Sequence, residues 1–139
     1  VAKNALAVGS GIMAGLGYGF NAYAWILTEG FRELSRLIWK MGGSEQTVYG
    51  LAGFGDAIAT CLSPESRNRA FGELLGKGKT VTAALSKVGE TVEGLPAIEA
   101  LHRIAAKERL KLPLLAALYD IAVERKKADK VFGELVASL

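Results

Sequence analysis

The spacing of the apolar residues is the strongest constraint on how this chain can fold, because they recur every three or four positions. The clearest case is a stripe of apolar side chains at Leu27, Phe31, Leu34, Ile38 and Met41. Such spacing puts side chains on one face of an α-helix, whereas a half-buried strand alternates apolar and polar residues. No stretch of the sequence shows sustained alternation with β-branched residues. We therefore predict an all-α fold of about eight helices.

The length of the chain predicts a single domain over residues 1–139. A chain of 139 residues is long enough to bury a substantial core and short enough for one domain. Hydrophobic residues make up 50% of it, so either the core is large or an apolar face meets a partner. The chain starts at Val1 rather than at Met, and helical patterning begins at once, which indicates one domain of a longer protein.

The segment from residue 5 to residue 27 carries no charge and is long enough to suggest a membrane span. Its glycines and the polar Asn21 favour a buried helix followed by a loop instead, so we predict no membrane span. Gly9, Gly11 and Gly15 are spaced somewhat like a dinucleotide-binding loop, but such a loop follows a strand in a βαβ unit. Because helical patterns follow here, we predict close helix packing or a helix-end turn at these glycines.

Cysteine usage and charge exclude several classes of protein. The single Cys61 cannot form an intrachain disulfide, fits a reducing compartment such as the cytoplasm, and lies in an apolar helix as a small core residue. One His and one Cys are too few for a structural zinc site, so we predict no metal. The net charge of +3 is mild, and the Arg125-Lys126-Lys127 run is typical of a solvated helix end. We predict no nucleic-acid partner.

The longest helix is predicted to begin with Asn21 as its N-cap, to end at Gly42-Gly43 and to form the centre of the core. Trp25 and Trp39 are expected to add buried bulk to it. His102 lies among apolar residues next to a charged one, which favours a position at the edge of the core over a catalytic role.

The candidate functional site lies between residues 51 and 72, which read LAGFGDAIATCLSPESRNRAFG. Ala52-Gly53-Phe54-Gly55 is a poor helix interior, because each glycine costs roughly 1 kcal/mol relative to alanine. It predicts a sharp turn, with Asp56 placed to start the helix that follows. Asp56 and Thr60 are four residues apart, so on a helix they share one face.

A second helix is predicted after Pro64, with Ser66 as its N-cap. A helix N-terminus offers unpaired N–H groups and favours anions. Arg67, Asn68 and Arg69 fall in its first turn, where a cation is unfavourable unless an anion is present. The pattern therefore indicates a phosphate or carboxylate site. The alternative is that Arg67 and Arg69 are solvated surface charges and Asp56 is only a cap.

Two further polar residues admit both a functional and a structural interpretation. Lys3 is the only charged side chain before Glu29, and it is either an exposed helix end or a buried amine with a shifted pKa. From the residues alone the exposed position is favoured. Glu93 fits the first turn of a helix, as acidic residues often do.

Ordered motifs along nearly the whole chain resemble the C-terminal domain of the NAD(P)-dependent sn-glycerol-3-phosphate dehydrogenases. The motifs are L-A-G-F-G-D…T-C…S-R-N-R-x-F-G, the Lys3-Asn4 pair, the G-L-G-Y-G run that begins at Gly15, and Val92-Glu93-Gly94. The resemblance implies the helical fold of the 6-phosphogluconate dehydrogenase C-terminal domain.

The same resemblance implies roles for individual residues. It makes Lys3 the catalytic acid or base, with Asp56 and Thr60 beside it. It assigns substrate binding to Lys3, Asp56, Ser66, Arg67 and Asn68, with the guanidinium of Arg67 on the phosphate. It assigns cofactor contacts to Arg67, Thr91 and Glu93.

The activity implied by the resemblance is the interconversion of sn-glycerol 3-phosphate and dihydroxyacetone phosphate with NAD or NADP. The cofactor is expected to be held mainly by a Rossmann domain outside these residues, so this chain alone should be inactive. A homodimer in the cytoplasm is the expected setting. Tyr23, Glu29 and Thr91 depart from residues common in that family, which leaves fine substrate and cofactor preference open.

Two alternatives remain open from the sequence. A related 2-hydroxyacid or sugar-acid dehydrogenase domain would place a carboxylate where phosphate is expected. A helical interaction module without chemistry would leave Lys3, Asp56 and Arg67 scattered, whereas a site requires them to cluster.

Overall fold

The computed structural model describes residues 2–43 and 51–138, with residues 51–54 described by their backbone alone. In this part of the chain there are eight helices and no strand, so the all-α prediction is confirmed. The helices are α1 (Ala2–Gly15), α2 (Phe20–Lys40), α3 (Leu51–Leu62), α4 (Arg67–Gly76), α5 (Val81–Val88), α6 (Gly94–Lys107), α7 (Pro113–Ala122) and α8 (Ala128–Ala137). None of the helices in the described ranges has both the length and the hydropathy that a membrane crossing requires.

The first helix, α1, lies at the centre of the core. Every residue from Ala5 to Met13 is buried, and the helix packs against α2, α3, α4, α6 and α7. A helix that is apolar on all sides can be accommodated only in such a position. The prediction that α2 is the central helix is therefore wrong. The burial of α1 explains the absence of charge over residues 5–13, the first part of the uncharged segment.

The glycines of α1 and α4 let the two helices touch through their backbones. A Cβ atom added to Gly11 would lie 2.0 Å from the carbonyl oxygen of Arg69, and one added to Gly72 would lie 2.0 Å from that of Val8. Gly15 and Gly76 make the same kind of contact one turn further on. The prediction of close helix packing is confirmed for Gly11 and Gly15. Because the contacts advance along both helices in the same direction, α1 and α4 run parallel.

The second helix, α2, is longer at its start and less buried at its end than predicted. Gly19 occupies the N-cap position, so the prediction that Asn21 caps the helix is wrong. The buried residues of α2 run only from Ile26 to Leu37. Trp39 is 69% exposed and Met41 59%, so Trp39 does not add buried bulk. Both lie beyond the part of the helix that packs on the core. The spacing of apolar residues in the sequence does not show where this packing ends.

A buried carboxylate on α2 caps the start of α7. Glu33 is 5% exposed and accepts hydrogen bonds from the backbone nitrogens of Leu114, at 2.7 Å, and Leu115, at 2.9 Å. The N-cap residue of α7 is Leu112, which has no side-chain acceptor, so α2 supplies the missing one. Burial raises the pKa of the Glu33 carboxyl above its ordinary value of 4.5, against the opposing effect of these two hydrogen bonds.

Glu33→Gln should lower the free energy of unfolding by about 1–3 kcal/mol at neutral pH, because an amide cannot accept both backbone hydrogen bonds. The folded-state pKa of Glu33 is raised, so its pH-linked stabilisation is complete below pH 4.5 and is lost as the pH rises through the raised value. The difference between wild type and variant should therefore grow as the pH falls through this window. Urea denaturation at a series of pH values measures it. A difference that shrinks towards low pH would contradict this assignment.

Candidate functional site

The amine of Lys3 and the carboxylate of Asp56 form an ion pair between α1 and α3. The Nζ–Oδ2 distance is 2.6 Å, and the two side chains are 41% and 55% exposed, so the pair faces solvent. The residues are 53 positions apart in sequence, so the pair depends on the packing of α3 against α1.

The local structure around Asp56 differs from the prediction. Residues 52–55 belong to α3, so the predicted sharp turn is wrong and Asp56 lies within the helix rather than at its start. The cost of the glycines is offset by packing, since Ala57 and Cys61 on the same helix are buried. Asp56 and Thr60 do lie one turn apart, because the Thr60 hydroxyl donates to the Asp56 backbone carbonyl at 2.8 Å.

A cavity of about 450 Å³ opens beside this ion pair. Six of the residues predicted for the site line it, namely Thr60, Ser66, Arg67, Asn68, Thr91 and Glu93. Lys3 and Asp56 are not part of its lining. They adjoin it, because Asn4 follows Lys3 along the chain and lines the cavity, and Thr60 lies one turn from Asp56. The structure therefore brings all eight predicted residues to one end of the molecule.

The polar residues at the start of α4 already have partners within the protein. Ser66 is the N-cap, as predicted, and its Oγ accepts from the backbone nitrogen of Arg69 at 3.2 Å. The guanidinium of Arg67 donates to the carboxylate of Glu90 on the loop before α6. The Oδ1 atom of Asn68 accepts from the backbone nitrogen of Gly94 at 2.7 Å, which ties α4 to the start of α6. An anion at this site would compete with Glu90 for Arg67.

The loop that leads into α6 completes the cavity. Glu93 stands at the N-cap position of α6 and accepts from the Nδ2 atom of Asn4 at 3.3 Å, while Thr91 is exposed at the cavity wall. The sequence did not assign roles to Asn4 or Glu90. Their contacts join distant parts of the chain, and no local pattern indicates such pairs. In the sequence, only the place of Asn4 in the Lys3-Asn4 motif connected it with the candidate site.

Arg69 lies outside the cavity and links α2 to α4. Its Nη2 atom is 3.2 Å from the hydroxyl of Tyr23, and its Nη1 atom is 3.9 Å from the carboxylate of Glu73. Tyr23, one of the departures noted in the sequence, therefore has a structural contact. Glu29, another, forms an ion pair with Arg32 at 3.3 Å.

Cys61 and His102 are placed in structural positions. Cys61 is fully buried, and burial raises the pKa of its thiol, which makes the reactive thiolate scarce. His102 stacks on Tyr119 with ring centroids 3.7 Å apart, at the edge of the core as predicted. Within residues 2–43 and 51–138, no three His, Cys, Asp or Glu side chains are grouped so that they could hold a metal ion.

The helical fold places this chain in a class of domains found in solved dehydrogenase structures. The chain is similar to glycerol-3-phosphate dehydrogenase from Coxiella burnetii, with a TM-score of 0.92 and 38% identity over 97% of this chain and 42% of that one. It is also similar to glycerol-3-phosphate dehydrogenase from Saccharomyces cerevisiae, with a TM-score of 0.81 and 28% identity over 94% and 38% of the two chains.

Within this class, the chain belongs to the family described as NAD-dependent glycerol-3-phosphate dehydrogenase C-terminus, which matches residues 1–133. A curated relative, glycerol-3-phosphate dehydrogenase [NAD(P)+] from Clostridium botulinum, is 42% identical over 134 residues. The match covers 96% of this chain and 41% of the relative. The chain thus spans about two fifths of the length of the curated relatives it matches.

Proposed function

We propose that residues 1–139 are the helical C-terminal domain of an NAD(P)-dependent glycerol-3-phosphate dehydrogenase. In this proposal the domain binds sn-glycerol 3-phosphate or dihydroxyacetone phosphate and moves the proton, while a Rossmann domain elsewhere in the protein holds most of the cofactor. The observation that carries the proposal is the Lys3–Asp56 ion pair beside a polar cavity that contains Arg67. The clustering of these polar residues argues against a non-catalytic interaction domain, because such a domain does not require these side chains to lie together.

The amine of Lys3 is the proposed proton-transfer group. In the direction of reduction, the ammonium of Lys3 donates a proton to the carbonyl oxygen of the substrate, and in oxidation the amine accepts the proton of the hydroxyl group. Asp56 holds the amine at 2.6 Å and so fixes its position. The proposed part of Thr60 is to shape the cavity wall beside this pair, since its own hydroxyl is bonded to the backbone carbonyl of Asp56.

The start of α4 is the proposed phosphate site. The guanidinium of Arg67 offers two parallel donors to phosphate oxygens, and the N-terminus of α4 adds a favourable field. Ser66 caps this helix and keeps its first turn in place. The Nδ2 atom of Asn68 makes no hydrogen bond within the described residues, since only its Oδ1 atom is engaged, so it is left to donate to the substrate. Phosphate would replace the carboxylate of Glu90 on Arg67.

The residues along one edge of the cavity suit a nicotinamide cofactor. Arg67 supplies a cationic donor, Glu93 an acceptor and Thr91 an exposed hydroxyl, which match the phosphate, amide and hydroxyl groups of NAD or NADP. The bound cofactor supplies the hydride acceptor or donor for the reaction. The choice between NAD and NADP is proposed to lie in the Rossmann domain, near the ribose. A cytoplasmic homodimer remains part of the proposal.

Arg67→Lys in the full-length protein should lower kcat/KM for dihydroxyacetone phosphate by about thirtyfold, on the order of 2 kcal/mol. An ammonium keeps the charge but cannot grip two phosphate oxygens with a planar fork. Arg32→Lys is the matched control, because Arg32 is an exposed residue on α2 whose ion pair lies outside the cavity. Steady-state kinetics of both variants measure whether the loss of kcat/KM is specific to Arg67. Wild-type kcat/KM in Arg67→Lys would exclude a phosphate-gripping role.

The proposed function is tested by turnover of the full-length protein with NADH and with NADPH. Dihydroxyacetone phosphate should be reduced, whereas 2-oxo acids of similar size should not be. The 139-residue chain alone should show no turnover, because it contains no dinucleotide-binding βαβ unit in its described residues. Preference for a 2-oxo acid would instead support the related hydroxyacid dehydrogenases.

A further inference from the structure

A second cavity, of about 560 Å³, lies between the α4–α5 connection and the α7–α8 connection. It shares no lining residue with the cavity beside Lys3. Five cationic residues and one acidic residue line it, namely Lys77, Lys79, Arg125, Lys126, Lys127 and Asp129. Since the whole chain has a net charge of only +3, its positive charge is concentrated at this place.

Three of these five cations have no acidic partner within the described residues. Lys77 pairs with Glu73 at 3.2 Å, and Lys126 pairs with Asp120 at 3.5 Å. Lys79 and Lys127 form no ion pair in this part of the chain, and the guanidinium of Arg125 donates only to the neutral hydroxyl of Thr82, at 3.0 Å. Like charges around one concave surface repel each other and attract an anion.

The rim carries one acidic residue, Asp129, against five cationic residues. The carboxylate of Asp129 accepts from the backbone nitrogen of Lys130 at 2.7 Å, in the first turn of α8. The N-cap position of α8 is Lys127, which provides no side-chain acceptor. The start of α8 therefore adds unpaired N–H groups to the same rim.

The position of Arg125 is set by a defined backbone conformation. Its φ angle is +59°, in the left-handed region that costs a side-chain-bearing residue roughly 1–2 kcal/mol. The turn around it is held by backbone hydrogen bonds from Glu124 to Tyr119, at 3.1 Å, and from Lys126 to Asp120, at 2.9 Å. Arg125 is thus presented to the cavity by a closed turn rather than by a free chain end.

The floor of the cavity is apolar. Leu75, Val81, Ile121 and Ala128 line it, and each is at most 6% exposed. The volume falls within the range of about 300–1,000 Å³ that is typical of small-molecule sites. A cationic rim over an apolar floor suits a ligand that carries both a phosphate and an apolar body.

We propose that this cavity is a second binding site, for a small phosphate monoester with an apolar or aromatic body. The phosphate is bound by Arg125 and Lys127, with Lys79 opposite them, and the apolar body rests on Leu75 and Ile121. The concave shape and the buried floor favour a small molecule over a nucleic acid, which would need an extended basic face. The site is independent of the proposed dehydrogenase activity.

The test is an NMR titration of the 139-residue chain with phenyl phosphate, followed through the backbone amides. Saturable shifts are expected at residues 78–81 and 125–129, with affinity about tenfold higher than for inorganic phosphate, because only phenyl phosphate reaches the floor. Phenol, which lacks the phosphate, should leave these amides unchanged. Saturation by phenol alone, or equal affinity for inorganic phosphate, would overturn the proposed ligand class.

Variants separate this site from the cavity beside Lys3. Arg125→Gln combined with Lys127→Gln should weaken phenyl phosphate binding about tenfold or more, the effect expected of losing charge-assisted hydrogen bonds. Lys79→Gln should weaken it less. Arg67→Gln should leave the shifts at residues 125–129 unchanged, and so should Lys107→Gln, a matched change of charge at the end of α6. Unaltered binding in the double variant, or shifts that appear only with a DNA duplex, would refute the proposal.

Discussion

Gly11→Ala is expected to lower the free energy of unfolding by about 3 kcal/mol or more, although alanine is the better helix former by roughly 1 kcal/mol. The added Cβ atom would lie 2.0 Å from the carbonyl oxygen of Arg69 and 2.7 Å from the backbone nitrogen of Glu73. Backbone atoms cannot move aside as a flexible side chain can, so α1 and α4 must separate. That separation would open the centre of the core, where α1 is buried on all sides.

Gly133→Ala is the matched control for this effect. Gly133 lies within α8, and a Cβ atom added there would meet nothing within 4 Å. The variant should gain about 0.5–1 kcal/mol from helix propensity alone. Urea denaturation of both variants measures the contrast. Equal stability of Gly11→Ala and wild type would mean that α1 and α4 do not touch through their backbones in solution.

Lys3→Met in the full-length protein is expected to reduce kcat by about a hundredfold or more, with a smaller effect on KM. The substitution keeps a long apolar stem on the first turn of α1 and removes only the amine that is proposed to transfer the proton. Because Lys3 is 41% exposed, the change should cost the fold little. Steady-state kinetics with dihydroxyacetone phosphate give the result.

Two further variants decide whether the effect of Lys3→Met comes from chemistry. Lys3→Arg retains a cation beside Asp56 but cannot release its proton at neutral pH, so it should lose nearly as much kcat. Lys107→Met is the control for loss of an exposed lysine at a helix end, and it should behave as wild type. Near-normal kcat in Lys3→Met would show that Lys3 does not take part in the reaction. Near-normal kcat in Lys3→Arg would show that Lys3 contributes only its positive charge.

Local rules of sequence account well for where several helices begin. Ser66 was predicted as an N-cap and accepts the expected hydrogen bond from the backbone nitrogen of Arg69. Thr80 caps α5 in the same way and accepts from the backbone nitrogen of Ala83. Pro113 is the first residue of α7, a position where its missing N–H costs no helical hydrogen bond. These assignments succeed because a cap is decided by residues within one turn of each other.

Features decided by distant residues could not be predicted in the same way. The glycines of residues 52–55 suggested a turn, but packing against α1 keeps them in α3. The cap supplied to Leu114 by Glu33 joins residues 81 positions apart, and nothing local to either one indicates it. Within the candidate site, the sequence shows the residue types, but the pairing of Arg67 with Glu90 depends on how the start of α4 meets the loop before α6.

The parallel arrangement of α1 and α4 has a consequence for how the candidate site meets an anion. Both helices begin at the same end, and α6 begins there too, since a Cβ atom on Gly94 would lie 2.8 Å from the Asn4 carbonyl and 2.9 Å from Asn68 Oδ1. Each helix start carries a partial positive charge of roughly half an elementary unit. The backbone alone therefore contributes an attractive potential that no titration of side chains can remove. Above a pH of about 6, where a phosphate monoester is doubly charged, capture of the proposed substrate should weaken as the ionic strength rises.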